Sequence, residues 1–397
     1  MPSTQRYFAP IDFRTRFPAL DGIRALAITM VFAQHYGGGA HGGILLQVFN
    51  VIRRHGWSGV DLFFVLSGFL ITGILYDTRA DSHYFKRFFL RRAVRIFPVF
   101  YIVTAVLLLL TPIFQYEWHW GHLTFALYLG NIFANYNFDL YGIVSANHPH
   151  ASVSIGHFWS LCVEEQFYLL WPLAIWFVRD RVRLIRIAVA LSILALALRF
   201  AMLWHFPLPV ATSWIFRTLP FRMDSLLIGG ILSLVLRGPN ADRWQRSAKW
   251  VFLVAGAGCI AIFMLPAQVE YYWIDSIGLP LLAFASAGLI GSTLRTGSPA
   301  FRLFYLKPLR TLGKYSYGFY VYHLLFVSAW IELLVWLQSK LHSLALSGLI
   351  ALPLNFAVTF IVSKLSYDLI EVRFLHLKRH FEYDSEIADH KHAFTTK

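Results

Sequence analysis

The sequence predicts an all-α integral membrane protein, a bundle of about ten transmembrane helices with both termini in the cytosol. Three observations carry that expectation. Of 397 residues, 57% are hydrophobic and only 14% charged, where a soluble protein carries about 25% charged residues. The apolar excess comes in long runs, such as 96–114 and 187–204, and about 18–20 apolar residues suffice to cross a bilayer. Basic residues gather in short clusters between the runs, as they do where cytosolic loops retain Lys and Arg.

Taken in order, spans are expected at 20–38, 58–76, 96–114, 157–178, 187–205, 216–236, 250–267, 274–294, 315–337 and 345–366. The N-terminal segment, the loops 79–95, 179–186, 237–249 and 295–314, and the tail from Lys364 hold 29 of the 35 Lys and Arg residues. Ten spans with both ends inside put all six regions in the cytosol. An eleventh span over 121–136 would turn three of them outward. Residues 115–156 are therefore read as an external, partly re-entrant excursion, since irregular backbone survives at membrane depth only beside protein or a wet cavity. Arg53 and Arg54 are the exception, placed outside. The first run follows a basic segment (Arg6, Arg14, Arg16, Arg24) without a small-residue cleavage site and is read as a retained helix. No period of 20–50 residues repeats. One domain is expected over 1–378, followed by a short polar cytosolic tail at 379–397.

The net charge of +14 does not point to nucleic acid, because no aromatic-rich basic surface is left to bind one. Cys162 and Cys259 fall inside spans, imply no disulfide framework and read as small apolar fillers. The excursion holds His119, His122, His148, His150 and His157, but their spacing matches no ligand signature, so no metal is expected.

Ionisable residues inside spans are expensive and mark function by default. Arg24 and His35 are eleven residues apart in the first helix, about 16 Å along its axis and within about 20° of one face. A cation at the cytosolic end and an imidazole further in suit a long anionic ligand such as coenzyme A, with phosphates at one end and a thioester at the other. The bland alternatives are an Arg24 that snorkels to headgroups and a His35 that is hydrogen-bonded within the bundle. Asp61, at the outer end of the second helix, could orient and charge-stabilise His35 as a base. In the same helix Ser67 and Gly68 read as close-packing residues. Arg92 and Arg95 are helix neighbours whose forks suit phosphate, or else form a positive loop on anionic lipid. Glu164 and Glu165, adjacent in the fourth span, cannot both face lipid, and one of them is a candidate catalytic carboxylate. Trp159 belongs to an aromatic belt or, with Ser160, to an acceptor site. Arg222 and Asp224 in the sixth span are either substrate contacts or an intramembrane salt bridge. Arg217 precedes them. His323, after a Tyr-rich run, is expected nearer the cytosol and in contact with the donor. Trp118, Trp120, Asn131, Asn135 and Asn147 suit an acceptor entrance.

These residues carry a resemblance. Arg24-x10-His35, the Gly-Val-Asp-x-Phe-Phe-Val-Leu-Ser-Gly-Phe segment at 59–69 and Trp-Ser-Leu-x-Val-Glu-Glu-Gln-Phe-Tyr at 159–168 resemble the membrane acyltransferase family 3, which acylates O-antigen, exopolysaccharide, Nod factors and macrolides. Arg92-x-x-Arg95 matches the family's arginine pair. The run Arg222-Met223-Asp224 to Gly230 and the Tyr-rich segment ending at His323 are similar to its later motifs. The match covers roughly 16–370. It implies ten core helices in a bacterial cytoplasmic membrane, acyl-CoA (by default acetyl-CoA) as donor, a glycan or lipid-linked glycan as acceptor, and essential roles for Arg24 and His35. The expected reaction has Arg24, Arg92 and Arg95 on the coenzyme A phosphates. His35, oriented by Asp61 or Glu164, deprotonates an acceptor hydroxyl. A two-step route through an acylated His35 or a serine stays open. The rival from another class is a transporter of a lipid-linked sugar or anion, whose polar residues would look alike. The chain shows no internal repeat symmetry of the kind many transporters have.

Overall fold

The computed structural model describes residues 17–36, 50–325 and 327–383, without the side chains of 267 and 268. Arg6, Arg14 and Arg16 and most of the expected tail lie outside these residues.

Each expected span overlaps helix among the described residues, though 216–236 and 315–337 are each broken between two helices and 250–267 outruns its helix. The elements are α1 (Pro18–Tyr36), α2 (Ser58–Asp77), α3 (Tyr84–Phe114), α4 (Trp159–Phe177), α5 (Arg181–His205), α6 (Leu208–Arg217), α7 (Leu219–Val235), α8 (Ala241–Phe263), α9 (Leu279–Thr293), α10 (Ser316–Tyr322), α11 (Val327–Leu341) and α12 (Leu344–Ser366). Among the described residues, six helices are long and apolar enough to cross a membrane, and the bent pairs α6–α7 and α10–α11 raise this to eight. The 19-residue helices α1 and α4 fall short in apolarity, because Asp21 and Arg24 in α1, and Glu164, Glu165 and Gln166 in α4, interrupt them.

Local chemistry sets the ends. Asp180 caps α5 by accepting from the Arg183 N–H at 2.7 Å, and Ser343 caps α12 through the Leu346 N–H at 3.3 Å, satisfying donors that a helix start leaves open. Thr218 is extended and Pro220 follows at the second position of α7, so α6 and α7 meet at 43° instead of running on. α3 ends at Gln115, whose left-handed φ of 51° turns the chain into the excursion.

The bundle is centred on α2. Of its membrane-span window 78% is buried, against 17% for α5, so α2 is wrapped by helices while α5 shows its apolar side chains outward. Trp204, Leu109 and Leu349 are more than two-thirds exposed, which a soluble protein would not tolerate in such number. With so many apolar helices, this is an integral membrane protein. α2 and α7 cross in near backbone contact. A Cβ at Gly68 would lie 1.8 Å from the Leu226 carbonyl oxygen, and one at Gly229 2.0 Å from that of Val65. Glycine is required at both, as at other close membrane-helix crossings.

The segment 115–156 contains short helical turns, an antiparallel pair of Gly142–Ile143 with Val153–Ser154, and an isolated antiparallel bridge between Tyr116 and Ser145. Asn131 and Gln166 tie it to α4: Gln166 Nε2 donates to the Tyr128 carbonyl at 2.8 Å and to Asn131 Oδ1 at 2.9 Å. Its histidines hold the loop together. His122 accepts from the His119 N–H at Nδ1 (3.0 Å) and donates from Nε2 to the Gly142 carbonyl (3.1 Å). Among the described residues no group of three His, Cys, Asp or Glu side chains is placed to hold a metal ion.

Candidate functional site

Two cavities abut in the bundle. The first, about 1080 Å³, is lined by Arg24 of α1, Arg92 and Arg95 of α3, and Ser67 of α2 together with Glu164 and Tyr168 of α4. Lys314 joins them from the short helix Lys307–Lys314. Arg24 pairs with Asp21 one turn earlier. Arg92 lies over the Tyr168 ring, 4.6 Å from its centroid, and Arg95 is exposed, its guanidinium facing the cavity. Among the described residues neither Arg92 nor Arg95 has an ion pair. The sequence expectation for the three arginines is that they share one anion-binding wall, and the fold brings them together.

The second cavity, about 510 Å³, is lined by His35, His157, Trp159 and Arg217, with Arg54, His55, Glu270 and Asp275. Val60 and Tyr320 line both cavities. At this partition Ser160 and Tyr320 share a hydroxyl–hydroxyl hydrogen bond of 2.5 Å, and the Tyr320 hydroxyl also reaches the His157 carbonyl at 2.7 Å.

The environment of His35 fixes its tautomer. Its Nδ1 lies 2.8 Å from the Val31 carbonyl oxygen, which can only accept, so Nδ1 carries the proton. His323 Nδ1 likewise donates to the Tyr320 carbonyl (2.6 Å), leaving His323 Nε2 as an acceptor 3.4 Å from His35 Nδ1. The lone pair of neutral His35 is therefore on Nε2, and His35 is exposed to the cavity. His157 completes an imidazole cluster, its ring 4.9 Å from that of His323.

This geometry corrects several expected couplings. Asp61 does not orient His35. It is fully buried, accepts from Arg222 Nη2 at 2.8 Å and from Ser225 Oγ at 3.1 Å, and lines neither cavity. Glu164 does not reach His35 either, but lies on the arginine side beside the Ser67 and Tyr168 hydroxyls, within the field of Arg92 and Arg95. Glu165 lines neither cavity, and its Oε1 is buried without a hydrogen-bond partner. Arg222 and Asp224 do not pair with each other. Residues two apart on a helix point about 200° apart, so each finds another helix: Arg222 takes Asp61 of α2, and Asp224 takes Arg199 of α5 at 2.8 Å. Both are buried away from the cavities. His323 stands behind His35 and away from the arginines, because the Tyr36 hydroxyl donates to the His323 carbonyl and pins the end of α10 to the end of α1. Trp159 faces the imidazole cavity and Ser160 the arginine cavity.

Sequence reading passed over Arg199, His55, Glu270 and Asp275. Glu270, 1% exposed, takes Arg54 on one oxygen and His55 Nε2 on the other at 2.5 Å. This pairing accounts for one of the two arginines that the charge distribution placed awkwardly. The available signal was a carboxylate at each of 270 and 275, inside or beside an apolar run.

Residues 17–366 match the acyltransferase-domain family. The chain belongs to the membrane acyltransferase family 3. It is 30% identical to the peptidoglycan O-acetyltransferase OatA of Listeria monocytogenes over 94% of this chain and 57% of that protein. It is 30% identical to the O-acetyltransferase OatA of Staphylococcus aureus over 77% of this chain and 50% of that one. It is 28% identical to the putative peptidoglycan O-acetyltransferase YrhL of Bacillus subtilis over 89% and 54%. The chain thus spans about half the length of these relatives. No solved structure matches it.

Proposed function

We propose that this chain is a membrane O-acyltransferase that moves an acyl group, expected to be acetyl, from cytosolic acyl-CoA to a hydroxyl of an extracytoplasmic glycan. The relatives act on peptidoglycan or are named for O-acetyl transfer, and a cell-wall or related glycan is the acceptor proposed here. The arrangement belongs in a bacterial cytoplasmic membrane, with ten crossings and both termini cytosolic. One observation carries the reading: a cavity walled by Arg24, Arg92 and Arg95 abuts a cavity holding an imidazole with a free lone pair, and Val60 and Tyr320 line both.

Arg92, Arg95 and Arg24 fit the phosphates of coenzyme A, as guanidinium forks prefer to do. The extended arm then runs along α1 toward His35, about 16 Å away. His35 Nε2 takes the proton of the acceptor hydroxyl. The resulting alkoxide attacks the thioester carbon, the carbon–sulfur bond breaks, and the imidazolium returns its proton to the coenzyme A thiolate. His323 and the Val31 carbonyl hold Nδ1–H in place, the orienting role first expected of a carboxylate. General-base assistance of this kind is worth about 10²–10⁴ in rate.

The test is calorimetric titration of acetyl-CoA into protein in nanodiscs, followed by transfer of labelled acetyl to peptidoglycan fragments. Saturable binding, weakened in Arg92→Ala/Arg95→Ala, is expected. Folded wild type that binds neither acetyl-CoA nor longer acyl-CoA would overturn the proposal.

A further inference from the structure

We infer that Arg217 is an anion handle in the imidazole cavity, docking a carboxylate or phosphate carried by the acceptor. The acceptor is then a hydroxyl-bearing molecule that is itself negatively charged. This rests on the proposed function for the identity of the cavity as the acceptor site.

The charges around the cavity are not equivalent. Glu270 is satisfied by Arg54 and His55. Asp275 accepts from Thr212 Oγ1 at 2.6 Å, and the cations acting on it are Arg222 and Arg199. Arg217 has no ion pair among the described residues. Its Nη1 donates to Ser213 Oγ at 2.7 Å, and the Ser213 hydroxyl in turn donates to Asn135 Oδ1 at 2.6 Å. The guanidinium lies over the Tyr141 and Phe138 rings, 5.1 and 5.4 Å from their centroids. Asn131 Nδ2 holds the Arg217 carbonyl at 2.9 Å. Asn131, Asn135, Phe138 and Tyr141 all come from the excursion, so this segment positions the cation without neutralising it. The remaining N–H donors of its fork have no protein partner among the described residues.

Two further groups point to a ligand. Tyr141 Oη and His157 Nδ1 are buried without hydrogen-bond partners, and both residues line the cavity. His157 Nε2 donates to the Val321 carbonyl at 3.1 Å, so the unpartnered Nδ1 can only accept. A guanidinium suits a two-oxygen anion. A neutral acceptor would seal the cation in without a counter-charge, which is costly. A carboxylate on the sugar and a phosphate on a lipid carrier share the required chemistry.

The test titrates protein in nanodiscs, read by tryptophan fluorescence, with N-acetylmuramic acid, its methyl ester and undecaprenyl phosphate. Wild type should bind an anionic ligand at least about tenfold tighter than the neutral ester, the range of one charged hydrogen bond. Arg217→Gln should erase that preference and Arg217→Lys keep part of it. Preference for the muramic acid assigns the anion to the sugar; preference for the lipid phosphate assigns it to the carrier. Acetyl-CoA binding in the same samples reports the fold and the donor site separately, and should not change in Arg217→Gln. Three outcomes overturn the handle: wild type that binds acid and ester alike, wild type that binds none of the three probes, or an Arg217→Gln protein that binds acetyl-CoA normally and keeps the preference. The acid–ester comparison in wild type decides even if a variant misfolds. Intact donor binding in those cases leaves the acyltransferase reading standing, whereas its loss from folded wild type defeats that reading instead.

Discussion

Replacing Asp61 by Asn separates a structural carboxylate from a catalytic one. The Asp61 and Arg222 side chains are both fully buried, 2.8 Å apart. Arg222 is also ringed by Phe64, Trp159 and Phe216. Asn fills the same space and can still accept a hydrogen bond, but it leaves the guanidinium without a counter-charge in apolar surroundings. Breaking one side of a buried pair costs about 3–5 kcal/mol, whereas replacing both partners with apolar groups is often neutral or stabilising. Asp61→Asn should therefore lower the unfolding temperature in detergent, and Asp61→Leu/Arg222→Met should recover most of it. Cys162 and Cys259 are free and buried, so a thiol-reactive dye reads unfolding directly. An Asp61→Asn protein as stable as wild type would refute the pairing. A double variant that is stable yet inactive would return Asp61 to the catalytic role first expected of it.

Other perturbations address the rest of the molecule. Arg92→Ala/Arg95→Ala should raise the acetyl-CoA dissociation constant by at least about tenfold, since charged hydrogen bonds contribute about 1.5–3 kcal/mol each; calorimetry reads it. His35→Ala should cut acetyl transfer by about 10²–10⁴ while donor affinity holds, and near-full transfer by a folded variant would remove His35 from the mechanism. Gly68→Val should prevent assembly of α2 against α7, whereas Gly256→Ala, with nothing within 4 Å of its added Cβ, should be tolerated; yield and gel-filtration profile distinguish them. Burial lowers the His122 imidazole below its ordinary value, and its Nδ1 must stay unprotonated to accept from His119. With the folded value depressed, the unfolded loop binds more protons, so stability present at neutral pH is lost as pH falls below about 6.5. Hydrogen exchange around Gly121 and Gly142 should quicken on acidification, and a His122→Phe protein should lose that dependence.

How much was legible follows from what a sequence encodes locally. The apolar segments were readable because most are runs along one helix; 216–236 and 315–337 instead straddle the bent pairs α6–α7 and α10–α11, whose breaks hydropathy does not reveal. The shared face of Arg24 and His35 was readable for the same reason, being a matter of 3.6-residue periodicity. Cross-helix partners were not. Asp61 and Arg222 are separated by 161 positions, and His35 and His323 by 288, and periodicity says nothing about which helix lies opposite. Asp61 was therefore assigned to the nearest titratable neighbour in sequence logic, while the fold gave it to α7. His323 was misplaced because its depth was judged from its position along the span, before the contact between Tyr36 and its carbonyl was known. Glu270 was missed because it lies between two expected spans, where a carboxylate attracts no notice.

The wall made by Val60 and Tyr320 has an electrical consequence. A membrane voltage falls chiefly across the least conductive part of a path; if the two chambers fill with water from opposite faces, as the proposed function requires, this thin layer would bear it. Moving one full charge through 100 mV is worth about 2.3 kcal/mol. An anionic donor moving in from the cytosolic side as far as this wall would feel much of that drop. Donor affinity at such a site would then follow the energised state of the cell, with Tyr320 part of the insulating layer.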